Sequence, residues 1–170
     1  MTFKLVKVDY NYCNYLRRFD SKVTFNYGQK ELRPFIGVLF PIDDKEYFAP
    51  LSSPKPKHKK MKNTLDFFKI DNGTLGAINF NNMIPVKKNN YTIISLNKKN
   101  LKKDELNYQE LLKNQLSWLN SHQLQIKNKA KLLYIKYIND KLNKKIYDRC
   151  CNFLLLEKKC DTYNKQKIFV

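Results

Sequence analysis

The sequence predicts an α+β fold. A strand-rich part, residues 1–97, carries a strongly bent antiparallel sheet or partly open barrel, and a helical part, residues 104–160, packs on it. Three observations support this. Short apolar runs rich in β-forming residues recur through the first part. Apolar residues spaced three, four or seven apart mark the second. No Gly- or Ser-rich linker separates the parts, so 1–170 is expected to be one domain.

Leu5-Val6-Lys7-Val8 reads as a first strand, followed by a short helix over 10–19. Phe35-Ile36-Gly37-Val38-Leu39-Phe40 is an apolar run of strand length, and Glu46-Tyr47-Phe48-Ala49-Pro50-Leu51 follows it. The polar turn at 41–45 makes these two a hairpin. Met61, Leu65 and Phe68 fall at helical spacing and predict a helix over 59–68, closed by a turn at Asp71-Asn72-Gly73. Further strands are expected at 75–80, at 83–86 after a bend, and at 91–96, giving about five in all. Leu112, Leu116, Leu119, Ile126 and Leu133 share one face of a single long helix, with Asp104 as its N-cap. Ile146, Cys150, Phe153 and Leu154 mark a last helix ending before Asp161.

Hydrophobic residues make up 42% of the 170, with 11 Phe and 11 Tyr, enough for a real core. Charge narrows the function. Lys plus Arg number 33 against 15 Asp plus Glu, a net charge of +18. Such a cation attracts a polyanion, and nucleic acid is the leading partner. No apolar stretch approaches the roughly 20 residues that span a bilayer, and the lysines of the first seven residues do not suit a signal peptide. A cytoplasmic protein without a membrane partner is expected. Cys13, Cys150, Cys151 and Cys160 form no Cys-x-x-Cys pair and read as free thiols.

The segment Ser52-Ser53-Pro54-Lys55-Pro56-Lys57-His58-Lys59-Lys60-Met61-Lys62 follows directly on a strand. Pro54 and Pro56 are expected to keep it out of a helix. It presents two hydroxyls and, over positions 55–62, five lysines. A run of this kind is by default a solvated face; the alternative is a phosphate-gripping edge with a reactive group at its root. RNA can be cleaved through its own 2′-hydroxyl, which needs a base, charge stabilisation on the phosphorane and help for the leaving oxygen, but no metal. The carboxylates form no Asp-x-Asp or comparable two-metal cluster, so neither metal nor cofactor is predicted. His122 sits mid-helix and reads as a surface residue, so a two-histidine mechanism with His58 is not favoured.

Cationic stabilisation then remains. Lys55, with an unperturbed pKa of about 10.4, suits charge stabilisation or proton donation better than base work. Ser53 either positions the scissile phosphate or attacks it. If the hairpin forms, Arg33 lies at the same end as Ser52 and Ser53 and clamps a phosphate. Tyr27 either stacks on a base or packs internally. The catalytic candidates are Ser53, Lys55, Arg33 and Tyr27. The RNA-binding candidates are Ser52, Lys30, Lys57, His58, Lys59, Lys60, Lys62, Lys87 and Lys88. The competing readings are a non-catalytic basic RNA-binding protein and a DNA-binding repressor using the long helix.

The pieces Arg33-Pro34-Phe35-Ile36-Gly37-Val38, Tyr47-Phe48-Ala49-Pro50-Leu51-Ser52-Ser53-Pro54-Lys55, Phe67-Phe68-Lys69 with Asp71-Asn72-Gly73, Leu75-Gly76-Ala77-Ile78-Asn79-Phe80 with Met83-Ile84-Pro85, and Cys151-Asn152-Phe153 with Leu156-Glu157 occur in one order. In these the chain resembles the ToxN/AbiQ family of type III toxin–antitoxin endoribonucleases, which act in abortive phage infection. The resemblance implies a MazF/CcdB-type toxin fold with long C-terminal helices. It implies metal-independent cleavage of cellular or phage RNA to 2′,3′-cyclic phosphate and 5′-hydroxyl ends. It also implies a repeat RNA antitoxin, folded as a pseudoknot, which the toxin processes, which inhibits it, and with which it assembles into a larger complex. The family's Thr/Ser-Ser-Pro-Lys motif falls on Ser52, Ser53, Pro54 and Lys55, and its basic residue before the strand on Arg33. Its upstream tyrosine falls on Tyr27 across a difference in loop length.

Overall fold

The structure is a computed structural model that describes residues 2–25, 33–37 and 39–168. Strand β1 (Lys4–Val8) leads into helix α1 (Tyr10–Arg17), which Asp9 caps by accepting a hydrogen bond from the Tyr12 amide at 2.9 Å. Strands β2 (Phe35–Gly37), β3 (Pro41–Ile42) and β4 (Lys45–Ser52) follow, then helix α2 (Pro56–Lys60) and strands β5 (Phe67–Lys69), β6 (Ala77–Asn79), β7 (Ile84–Val86) and β8 (Tyr91–Ile93). Helices α3 (Lys103–Ser121), α4 (Gln123–Ile138), α5 (Lys144–Arg149) and α6 (Phe153–Ile168) complete the chain.

Among the described residues the sheet is open, antiparallel and eight-stranded, with the order β5-β6-β4-β2-β1-β8 and with β3 and β7 also paired to β4. The predicted α+β class is therefore the observed one. The strand number exceeds the five expected because β4, the long central strand, is edged by pieces too short to show in composition. β3 and β7 pair with its first half; β2 and β6 pair with its second. From Tyr47 to Leu51 every residue of β4 is buried, which is why its sequence is continuously apolar rather than alternating.

The expected helix over 59–68 is instead the short α2 and, after a loop, β5. Phe68, at 6% exposure, faces the core from a strand, so its helical spacing to Met61 was coincidental. Asp71-Asn72-Gly73 is the anticipated turn, a single 3-10 turn.

The helices bury the predicted face: Leu112, Leu119, Ile126 and Leu133 all join the sheet residues in one core. They do so from two helices, not one. The break falls at His122, whose backbone leaves the helical region (φ −112°, ψ 21°), and whose ring stacks on Trp118 at 3.8 Å. Asp104 lies within the first turn of α3 and is not its cap; Glu105 instead accepts from the Lys102 amide at 2.9 Å. The last predicted helix is likewise two, α5 and α6, and α6 continues past Asp161. Helix α6 is fastened to the sheet by Glu157, which accepts from Tyr47 at 2.6 Å and Tyr134 at 2.8 Å. All four cysteines are free and buried; burial pushes the Cys13 and Cys150 thiols up to about 12. No described helix is long and apolar enough to cross a membrane.

Candidate active site

The site is built at the C-terminal end of β4. The β2–β4 register pairs Phe35 with Pro50 and Ile36 with Ala49, and the Leu51 amide donates to the Pro34 carbonyl at 2.9 Å. Antiparallel pairing thus carries Arg33 to the end of the sheet where Ser52 stands, as the hairpin argument requires. On the other edge of β4, Ser52 pairs with Ala77 of β6. Its Oγ donates to the Ala77 carbonyl and accepts from Asn79 Nδ2, both at 3.4 Å.

Beyond Ser52 the chain leaves the sheet, and Ser53, Pro54 and Lys55 are exposed. Lys55 is extended (φ −135°, ψ 148°) and Pro56 occupies the first position of α2. The prolines therefore do not exclude a helix. At the first position the missing N–H costs nothing and the fixed φ suits helix entry, so Pro56 starts one. One helical turn sends Lys57, Lys59 and Lys60 outward and His58 inward, at 2% exposure. The His58 ring lies 5.8 Å from that of Phe67. Its backbone sits on Gly73 (φ +93°), where a Cβ would come within 2.9 Å of the His58 carbonyl carbon.

A cleft of about 500 Å³ opens beside this segment. Arg33, Ser52, Lys55, Lys57, His58, Met61 and Lys62 line one part of it; Thr64, Asp66, Phe67, Asn79, Asn81, Asn82 and Arg149 line the rest. The structure thus gathers six of the thirteen predicted residues in one cleft: Arg33, Ser52, Lys55, Lys57, His58 and Lys62. Ser53 adjoins the cleft as an exposed residue between Ser52 and Lys55 but does not line it, and Lys59 and Lys60 lie outside its lining. Tyr27 and Lys30 fall outside the described residues. Three further candidates sit as follows. His58 is among the residues that line the cleft, although only 2% exposed. Lys87 is held by Asp44 at 2.6 Å and Asp161 at 2.9 Å. It follows β7, which pairs at the opposite end of β4, roughly 20 Å from Ser52 at strand rise. Lys88, though exposed, shares that remote end.

Residues from the second wall escaped the sequence reading. Asp66 is 2% exposed and takes a side-on fork from Arg149, Nε at 2.8 Å and Nη2 at 3.0 Å, plus the Thr64 hydroxyl at 2.8 Å. Burial alone would raise the Asp66 pKa; Arg149 and Thr64 outweigh it and hold the carboxyl below its ordinary value. Pairing across 83 positions leaves no local sequence signal. Arg33 is half-buried, so burial lowers its pKa, and the nearby Tyr108 of α3 opposes the shift. Burial, then Lys55 and Lys57, lower the His58 pKa and so favour its neutral imidazole. The cleft's chemistry is therefore cationic, with hydroxyl and amide donors, and among the described residues its one lining carboxylate is already paired.

The chain matches, over residues 4–161, the family described as toxin ToxN, type III toxin–antitoxin system. It belongs to the ToxN family. Endoribonuclease AbiQ from Lactococcus lactis subsp. lactis is 32% identical to this ToxN-family chain, covering 99% of it and 93% of AbiQ. The solved structure of AbiQ, a lactococcal anti-phage endoribonuclease of a type III toxin–antitoxin system, superimposes with a TM-score of 0.80 at 30% identity, over 97% of this chain and 99% of that one. A second solved structure also gives 0.80 at 30% identity, over 96% and 99%. It comes from work on type III systems in which a non-coding RNA pseudoknot selectively inhibits the toxin.

Proposed function

We propose that the chain is the endoribonuclease toxin of a type III toxin–antitoxin system, with an anti-phage role. It processes a repeat RNA antitoxin, and the folded repeat, a pseudoknot, inhibits it. The observation that carries this reading is the convergence of Arg33, Ser52 and Lys55 on one cationic cleft in a chain of this family.

The reaction is cleavage through the substrate's 2′-hydroxyl. Its oxygen bonds to phosphorus as its proton leaves, the P–O5′ bond breaks, and the 5′-oxygen takes up a proton. The products are a 2′,3′-cyclic phosphate and a 5′-hydroxyl. Arg33 grips a non-bridging oxygen through its fork and Lys55 neutralises the charge that grows on the phosphorane. Ser52 and Ser53 donate hydrogen bonds that hold the phosphate. Lys57 and Lys62 extend the cationic track along the RNA, and toxin with antitoxin forms a larger protein–RNA complex. Among the described residues the one carboxylate lining the cleft, Asp66, is already satisfied by Arg149 and Thr64, which supports chemistry without a metal.

The test uses the transcript of the region upstream of the gene. The purified chain is expected to cut it into unit repeats, and a purified repeat to block cleavage of an unrelated RNA. Binding of both RNAs without cutting would replace this reading with that of a non-catalytic RNA-binding protein. Preference for duplex DNA would overturn both.

A further inference from the structure

Arg149 enters the cleft from the helical part of the chain, as the last residue of α5. Its backbone is pinned there. The Asn81 side chain donates to the Arg149 carbonyl at 3.4 Å, and the Cys151 amide donates to the Asn81 carbonyl at 2.8 Å. The Asn81 amide in turn donates to the Asp66 carbonyl at 3.2 Å. One residue thus ties both partners of the Asp66–Arg149 pair to the same wall.

The pair is asymmetric. The Asp66 side chain is 2% exposed and that of Arg149 is 51% exposed. A guanidinium has five N–H donors; two bond Asp66, which leaves three. With Nε and one Nη2 hydrogen committed to Asp66, both Nη1 hydrogens and the second Nη2 hydrogen are left over on a side chain that is half exposed. The pair is net neutral, but its orientation is not: the carboxylate points inward and the cation outward. The cleft therefore sees its positive end, alongside Arg33, Lys55, Lys57 and Lys62. A fork locked by a buried carboxylate has already lost its rotamer freedom, so binding an anion costs it little further entropy.

We propose that Arg149 is a phosphate ligand of the cleft, a guanidinium clamped side-on by Asp66 so that its remaining donors meet a non-bridging oxygen of bound RNA. The ligand class rests on the endoribonuclease reading above. The contact places the RNA backbone between the sheet and α5, so the helical part takes a direct share in substrate binding.

The experiment measures binding of a short single-stranded RNA as a function of salt, in the full chain carrying Ser53→Ala to prevent cutting. The Asp66→Asn/Arg149→Gln double variant exchanges the ion pair for a neutral amide pair and leaves no buried charge unpaired. It is expected to bind about tenfold more weakly, with the slope of log affinity against log salt smaller by about 0.7, the value of one lost phosphate contact on a single strand. Unchanged affinity and slope in a folded double variant would overturn the proposal. If that variant does not fold, Arg149→Lys decides. It keeps the charge but loses the fork, and a severalfold weaker complex at unchanged Tm supports the role, whereas an equal affinity overturns it. A chain that binds RNA but never cleaves it would sink the enzymatic reading and leave this comparison intact. A parent chain that cleaves RNA, with equal binding across all the Ser53→Ala variants, would sink only the role of Arg149.

Discussion

Gly76 lies directly against the carbonyl of Ser52: a Cβ at position 76 would stand 2.0 Å from the Ser52 oxygen and 3.2 Å from the Ser53 carbonyl carbon. Its φ of +105° also suits glycine alone. The hydroxyl pair is therefore placed by a residue with no side chain. Gly76→Ala is expected to cost about 2–3 kcal/mol and to reduce RNA cleavage more than RNA binding, because the lysines do not depend on this contact. Chemical denaturation together with turnover measures both; a variant with wild-type turnover would show that the Ser52–Ser53 backbone position is immaterial.

Lys55 and Ser53 are expected to separate chemistry from affinity. Lys55→Ala should lower the cleavage rate by roughly 10²–10³-fold, as the loss of one preorganised charge-stabilising group does. Ser53→Ala should abolish toxicity in growing cells while leaving antitoxin RNA binding near that of the parent. Simultaneous loss of toxicity, binding and thermal stability in Ser53→Ala would make that serine structural instead.

His58 gives a pH dependence of stability. Its pKa is lowered in the fold by burial and by Lys55 and Lys57, so the unfolded chain binds the proton more readily. Stability is unaffected above the unfolded pKa of about 6.5 and falls as the pH drops below it toward the folded value. Tm should therefore decrease as the pH falls below about 6.5, and His58→Gln should flatten part of that decrease. An identical pH profile in the variant would contradict the argument.

Lys87 tests the division of the basic surface. Its ammonium sits in a network with Asp44, Asp161 and the buried Lys45. Burial opposes its charge and the two carboxylates more than offset that, so its pKa stands above the ordinary value. Lys87→Ala is expected to cost about 1 kcal/mol of stability and to leave the salt slope of RNA binding unchanged. A slope reduced as much as by a cleft lysine would place RNA at that end of the sheet.

What was legible in the sequence follows from physics that is local or pairwise along one hairpin. The apolar run of β4 and the pairing that sets Arg33 beside Ser52 required only strand pattern and antiparallel register. The helical face through Leu112, Leu119 and Ile126 required only spacing. Pro56 misled because a helix-breaking residue inside a helix is a helix-starting one at its first position. The break at His122 carries no glycine or proline to announce it. The second wall of the cleft was invisible because Asp66, Asn81 and Arg149 meet through the packing of α5 on the turn at 80–82, which no periodicity encodes.

We propose that the cleft cuts RNA through its own 2′-hydroxyl, with Lys55 stabilising the phosphorane and no metal required. The most direct measurement incubates the purified chain with RNA in excess EDTA and maps the new ends chemically. Undiminished cleavage with 2′,3′-cyclic phosphate and 5′-hydroxyl ends is expected, lost in Lys55→Ala. Cleavage that stops in EDTA, leaves 5′-phosphate ends, or persists in Lys55→Ala would contradict the proposal.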